Sequence, residues 1–464
     1  MRAAPWRPSN NASPVSNSVS PHPASAGGTR RPVACRRRNG PGSKCGKFPP
    51  IGFSMASPPG LKNPKRQRAP DMPSILFINR VYPPSHGATG EMLRDIAESL
   101  AGRGWDVSIL CTGEAGEPKS VKRGGVFIHR AGAALSRRSV ILRAASYSLM
   151  IPWLLARALL LRRTDLVVTM TDPPMLAVLG PMIGFFKRNK VVHWAQDLYP
   201  EVAEEIGVLP KGSPLIGLLR SVSTLALKRC DAVVSIGRCM TSRLVQRGVS
   251  YARIFNIPNW APAVTPIDRK NNPFRREHGL EGDFVVVYSG NMGLAHDFDA
   301  ILKAAESLRG RHIVFLMIGD GPRRAEIERS VATLGLSNMR FLPSQSAAKL
   351  SESLSAGDAH LVTMRPNLCG LVVPSKVYGV LAAGRPCLFI GPADSEAARL
   401  ITEQDAGVVI DPARPADLAG ILLDWAADPV AHAAACRRAR IAGASTTRQN
   451  AAVDFEEMLH SLLR

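Results

Sequence analysis

No uninterrupted apolar run of the roughly 18 residues that a bilayer-spanning helix needs occurs in the 464-residue chain. No apolar core of a secretory signal is found either, so export is not expected. The eight cysteines (35, 45, 111, 230, 239, 369, 387, 436) form no C-x-x-C pair and have no histidines at ligand spacing. A structural zinc site is therefore not expected, and reduced thiols in a cytoplasmic setting are. Acidic residues are scarce, 37 against 59 Lys and Arg, for a formal charge of +22. The deficit is uneven: residues 1–72 hold 13 basic residues and one acid, Asp71, so that stretch carries +12 and the rest +10. This Pro-, Ser- and Arg-rich tail cannot bury enough surface to offset its ordering entropy and is expected to be disordered. A nucleic-acid-binding arm is the alternative use for it.

Beyond residue 72 the chain alternates short β-branched runs with longer helical patterns. Strands are expected at Ile75–Ile78, Val107–Leu110, Val126–His129, Leu166–Thr169, Val191–Trp194 and Ala232–Ser235. A second series is expected at Phe284–Tyr288, Ile313–Ile318, Arg340–Leu342, His360–Thr363, Cys387–Ile390 and Val408–Ile410. Leu93, Ile96, Ala97 and Leu100 define one helix face, and Leu215–Leu227 supplies another helix. Such alternation implies an α/β class with parallel sheets covered on both faces. The proline-rich, aperiodic segment Ile257–Pro273 reads as the linker between two doubly wound domains, 73–258 and 259–464.

Two glycine turns, each after a strand and before a helix, lie close together in the second half: FVVVYSGNMG (Phe284–Gly293) and IVFLMIGDGP (Ile313–Pro322). Glycine admits a ligand close to backbone amides, and the helix end beyond each turn favours an anion. The dinucleotide fingerprint is incomplete, because Arg324 stands where its third glycine belongs. A nicotinamide enzyme is thus a weak fit. Asp297-Phe298-Asp299 reads as a cap of the helix beginning there rather than as a metal motif.

Six segments in order, INRVYPPSHGATGEMLRDIAESLAGRGWDVSIL, HWAQDLYPE, VVYSGNMG, FLMIGDGP, RFLPSQ and VVPSKVYGVLAAGRP, resemble the family 4 glycosyltransferases of the GT-B fold. The likeness runs from Ser74 to the end and is nearest the branch that builds bacterial surface polysaccharides. It implies two Rossmann-like domains facing across a cleft, with the C-terminal helix packing back on the first. It also implies a retaining transfer from a nucleotide-sugar, UDP-linked by preference, to a lipid-linked saccharide, with no essential metal or other cofactor. By this resemblance Gly87, Thr89 and Gly90 of the first loop face the donor, beside Ser289, Gly290, Asn291, Gly293, Gly319 and Gly321. Phe341 and Pro343 would flank the base, with Ser375, Lys376 and Tyr378 at the diphosphate. His86, Trp194 and Glu201 would meet the acceptor. Asp197 would take the acceptor's proton and Lys376 would hold leaving-group charge.

The family's two glutamates, seven residues apart before an Ala-rich helix, are missing. Counting back from Gly384 and Pro386 puts Gly379 and Leu371 in their places, and matching Gly370 instead puts Asn367 at the first. A GT-B nucleotide-sugar 2-epimerase is the second enzyme reading. Ala144–Ala156, flanked by Arg137, Arg138, Arg143, Arg157, Arg162 and Arg163, suits a helix lying on an anionic membrane surface, as does Met175–Phe186 with Lys187, Arg188 and Lys190. Partly buried helices with solvated basic ends are the alternative. Localisation is expected to be cytoplasmic, on the inner face of the plasma membrane if peripheral.

Overall fold

The computed structural model describes residues 72–85, 87–113, 117–133 and 140–464, with backbone only at 133 and 140–148. The basic tail to residue 71, His86, Arg137 and Arg138 lie outside the described residues, and the side chain of Arg143 does too. Among the described residues, fourteen strands form two sheets. The first contains β1 (Ser74–Ile78), β2 (Asp106–Gly113), β3 (Ser120–Arg123), β4 (Val126–Ala133), β5 (Leu166–Thr169), β6 (Lys190–Trp194), β7 (Ala232–Ser235) and β8 (Ile254–Asn256). The second contains β9 (Phe284–Ser289), β10 (Ile313–Ile318), β11 (Met339–Leu342), β12 (Ala359–Thr363), β13 (Cys387–Ile390) and β14 (Gly407–Ile410).

The strand orders are β3-β4-β2-β1-β5-β6-β7-β8 and β11-β10-β9-β12-β13-β14. Every pairing is parallel except β3 with β4. Central strands such as β1, β5, β10 and β12 are buried along their whole length. That is why they read as continuous apolar runs rather than alternations. All twelve expected strands are present. The two that were not anticipated, β3 and β8, are edge strands; β3 reads SVKR and is largely exposed, so no apolar signal marks it.

Each sheet reverses its winding direction beside its first strand. The crevices lie between β1 and β5 in the first sheet and between β9 and β12 in the second. Ligands of open α/β sheets bind at such points, beyond the carboxyl ends of the strands.

The last helix, Arg448–Leu463, leaves the second sheet and packs on the first. Its Phe455 is fully buried, with its ring 6.2 Å from Phe77 and 5.0 Å from Trp194. Glu456, one residue on, accepts from Trp105 Nε1 at 2.9 Å and pairs with Arg103 at 2.7 Å. Trp194 in turn stacks 6.0 Å from Trp260 of the connecting segment, whose Nε1 donates to Asp95. An aromatic core from four stretches of chain thus ties the connecting segment and the last helix to the first sheet.

Deleting the Phe455 ring leaves a void that these neighbours cannot close. Phe455→Ala should cost about 3–5 kcal/mol, read as a lower denaturant midpoint, whereas Leu463→Ala on the exposed side of the same helix should shift it little. Equal shifts for the two would show that the helix does not dock through Phe455.

Candidate functional site

At the second crevice the turns after β9 and β10 lie backbone to backbone. Gly290 and Gly319 have φ of +129° and +131°, and a Cβ on Gly319 would sit 2.2 Å from the Gly290 carbonyl oxygen. A Cβ on Gly321 would fall 2.5 Å from the carbonyl oxygen of Met292. The glycines serve first to let the turns touch. Gly290 N donates to Ile318 O and Gly319 N to Leu342 O, so the expectation that these two amides face the donor is corrected. Among the described residues the amides of Asn291, Gly293 and Gly321 make no such bond, and Asn291 is exposed at the rim.

Lys376 opens the helix Lys376–Ala382 and crosses to these turns. Its Cε fills the space above Gly290, 2.6 Å from where a Cβ would be. Its Nζ donates to Tyr288 Oη at 2.6 Å and Asn291 O at 3.1 Å, and meets His296 Nε2 at 2.9 Å. The opposite ring nitrogen of His296, Nδ1, is 2.6 Å from the carbonyl oxygen of Thr363, which can only accept. The proton is therefore on Nδ1, and Nε2 accepts from the ammonium. Burial, with the charge of Lys376 second, pushes His296 down to about 3, so it stays neutral beside the lysine. Burial also pushes Lys376 down to about 7. Every partner of this ammonium is neutral, and it stands at the crevice between β9 and β12.

Around it, Ser289 ends β9 and is half-buried, while Ser375 is exposed at the start of the lysine's helix. Tyr378 is 1% exposed, so its side chain belongs to the core and is corrected as a donor contact. Phe341 is half-buried under the guanidinium of Arg324, 5.8 Å from its ring, with Pro343 exposed beyond. Arg324 itself donates to Gly319 O and Asp320, and so closes the turn that a third glycine would have left open. Asp297 Oδ1 accepts from Asp299 N in a turn just before the helix Asp299–Ser307, whose N-cap position is Phe298 with no side-chain cap, so the expected cap is corrected. Among the described residues no three His, Cys, Asp or Glu side chains gather as metal ligands would.

The first crevice holds a bidentate ion pair: Arg80 Nε and Nη2 donate to the two Asp172 oxygens at 2.7 and 2.8 Å. Thr89 Oγ1 accepts from Asn79 Nδ2 at 3.2 Å, and Gly90 lies against the Val81 carbonyl, where a Cβ would be 3.0 Å away. Gly87 precedes the helix Ala88–Gly102, which has no side-chain cap. Beyond β6, Asp197 is half-buried; burial first, and the nearby Asp172 carboxylate second, raise its carboxyl to about 6. Its backbone forms a β-bridge with Val372, and Leu198 N donates to Leu371 O at 2.9 Å. The structure thereby brings the Asp197 segment of one sheet against the segment that leads into Lys376.

Two acceptor expectations are corrected. Trp194 is fully buried between Trp260 and Phe455, so its ring meets no ligand. Glu201 is clamped by Arg220 at 3.1 Å and by Arg247, a structural cluster. Of the places where the glutamate pair is missing, Gly379 and Leu371 are buried, and Asn367 Nδ2 donates to Glu205 of the first domain at 2.6 Å. Sequence reasoning missed Tyr288 and His296. A histidine three residues past Gly293, in a turn already singled out, was the available signal.

A family model described as a Glycosyl transferase 4-like domain matches residues 87–260, and one described as Glycosyl transferases group 1 matches residues 270–442. The Pseudomonas aeruginosa glycosyltransferase WbjE is 29% identical over 263 residues, 56% of this chain and 66% of its own length. WcaI of Escherichia coli, named as a colanic acid biosynthesis glycosyl transferase, is 27% identical over 245 residues, 52% of this chain and 59% of its own. The matched region thus spans less than two thirds of these curated relatives. In fold, the chain resembles Anabaena HepE solved with UDP-glucose, with a TM-score of 0.63 at 16% identity over 84% of this chain and 99% of that one. Two parallel-sheet domains, their facing crevices and both family models agree: the chain belongs to the family 4 glycosyltransferases of the GT-B fold.

Proposed function

We propose that the protein is a retaining glycosyltransferase that moves a sugar from a nucleotide-sugar, UDP-linked, to a lipid-linked saccharide in surface polysaccharide synthesis. The observation that carries this reading is the Lys376 ammonium, surrounded only by neutral acceptors at the crevice of the second sheet. An ammonium partly removed from water without a carboxylate partner is held at a cost that a bound anion offsets. The names of WbjE and WcaI and the UDP-glucose in the HepE structure favour a nucleotide-sugar and polysaccharide setting.

As the bond from the anomeric carbon to the diphosphate breaks, negative charge grows on the leaving oxygen. Lys376, fixed by Tyr288 and His296, meets that charge with little reorganisation. The amides of Asn291, Gly293 and Gly321, which make no backbone bond among the described residues, are the further donors these turns can offer. The acceptor hydroxyl loses its proton to Asp197, whose raised pKa of about 6 suits a base working near neutral pH.

UDP-glucose should raise the melting temperature more than GDP- or ADP-sugars do, since a ligand of the folded state stabilises it by mass action. Lys376→Ala should lower turnover about a hundredfold or more and weaken that thermal shift. Turnover within twofold of wild type in folded protein would remove Lys376 from the mechanism.

Two groups set the pH profile. Asp197 must be ionised to accept a proton, so kcat/KM should fall below about pH 6; Lys376 must be protonated, so it should fall again above about pH 7. Asp197→Asn should abolish the acid limb. Because the folded state raises this carboxyl, its ionised form costs stability. The same variant should therefore melt higher than wild type above pH 6, with the gain vanishing toward the ordinary value of 3.8. An unchanged acid limb would move the base elsewhere.

Membrane association is supported by the neighbouring helices Val140–Leu160 and Leu179–Lys187. They expose Leu149, Trp153, Met182, Phe185 and Phe186, the last two at 80% and 63%. Arg157 lies 6.0 Å from the Trp153 ring, and Lys187 folds back to the Leu161 carbonyl. No described helix is long and apolar enough to cross a membrane. Protein lacking residues 1–71 should bind anionic vesicles more tightly than neutral ones, and less so as salt screens the charges. Phe185→Ser with Phe186→Ser should release it. Equal binding to both vesicle types would remove the electrostatic part.

A further inference from the structure

Cys239 and Cys369 come from different domains and meet beside the cleft. Cys239 is the second residue of the helix Arg238–Gln246, which comes after β7, and it is half-buried. Cys369 sits in the loop after β12, ahead of Lys376 in the same connection. The backbones touch: Gly370 takes a φ of +75°, and a Cβ there would lie 2.7 Å from the Cys239 carbonyl oxygen. Arg243 Nε, one turn along the helix, donates to Cys369 O at 3.2 Å. Each thiol is the largest influence on the other's titration, and Cys369 Sγ donates to Asp394 Oδ1 at 3.5 Å.

The two sulfurs are unequal. With Cys369 as its largest influence and the backbone of Glu396 and Met240 adding to it, Cys239 is brought down to about 7, while Cys369 is pushed far up. Cys239 is thus the more readily ionised of the two. A low-pKa, accessible thiolate beside a resolving thiol is the arrangement that oxidises selectively. Cys111, Cys230 and Cys387 are fully buried and raised by that burial, so they offer no competing nucleophile.

We propose that Cys239 and Cys369 are a redox modification site, which a hydroperoxide oxidises to a disulfide joining the two domains. The Cys239 thiolate attacks the outer oxygen of the hydroperoxide; the S–O bond forms, the O–O bond breaks, and the alcohol, or water from hydrogen peroxide, leaves after taking a proton. The sulfur is now a sulfenic acid. Asp394 then takes the Cys369 proton, the Cys369 sulfur attacks Cys239, the S–S bond forms and the S–O bond breaks. Hydroxide leaves as water with that proton. Two thiols are oxidised by two electrons and one peroxide is reduced. The bond ties the Arg238–Gln246 helix to the connection that carries both the Val372 bridge to Asp197 and Lys376, and so holds the two domains at one separation. A thiol reductant restores the free pair.

The test reads the bond itself and so does not depend on the proposed transfer reaction. Full-length protein treated with hydrogen peroxide is digested without reductant and mapped by mass spectrometry. A Cys239–Cys369 linked peptide, lighter by two hydrogens and lost on adding dithiothreitol, is expected. Cys239 should react about tenfold or more faster than Cys111, Cys230 and Cys387. Cys369→Ser should leave a Cys239 sulfenic acid that dimedone captures, and Cys239→Ser should leave Cys369 unoxidised. In wild-type protein, a Cys239 that reacts no faster than the buried cysteines, or that proceeds to sulfinic acid while Cys369 stays reduced, would overturn the proposal.

Discussion

The second domain depends on one close approach, the contact of two backbones at Gly290 and Gly319. Any side chain at 319 would collide with the Gly290 carbonyl, and any at 290 would displace the stem of Lys376. The lysine can cross the crevice only because nothing occupies the space over Gly290. Strand register, turn and cation are therefore one construction: β9 and β10 pair along their full lengths, their turns abut, and the ammonium rests on the result. The motif's glycines act as spacers before they act as ligand contacts.

Charge is handled differently at the two crevices. Between β1 and β5 the cation Arg80 is already matched by Asp172, two oxygens to two nitrogens. Between β9 and β12 the cation has neutral partners, and the adjacent histidine is kept neutral by burial and by the charge of Lys376 itself. A matched pair holds structure, whereas an unmatched ammonium favours an incoming anion. The same contrast separates the carboxylates: Glu201 is clamped by two arginines, whereas Asp197 is raised by burial and by Asp172, as the proposed base requires.

The fold was legible in the sequence because doubly covered parallel strands must be apolar throughout, and the central strands announce themselves that way. β3 lies at a sheet edge and reads SVKR, and β8, at the other edge, is only three residues long, so neither left such a mark. The glycine turns and Lys376 were legible through local pattern. Trp194 and Tyr378 misled for a shared reason: each adjoins a motif in sequence while its side chain turns into the core, a direction that spacing does not encode. His296 and the Cys239–Cys369 pair were hidden because their meaning lies in contacts across 80 and 130 residues of chain.

The absent glutamate pair makes sense in the same geometry. Leu371 is buried with its carbonyl bound to Leu198, and Gly379 is buried near Leu354 and Pro262, so a carboxylate at either place would be taken out of water. At the third place, Asn367 reaches across to Glu205, whose carboxyl is held low by Lys211 and by that same amide. The acid at this edge of the cleft thus comes from the first domain. With no glutamate on the near side, Lys376 has no local carboxylate to neutralise it, and its charge stays directed at the crevice.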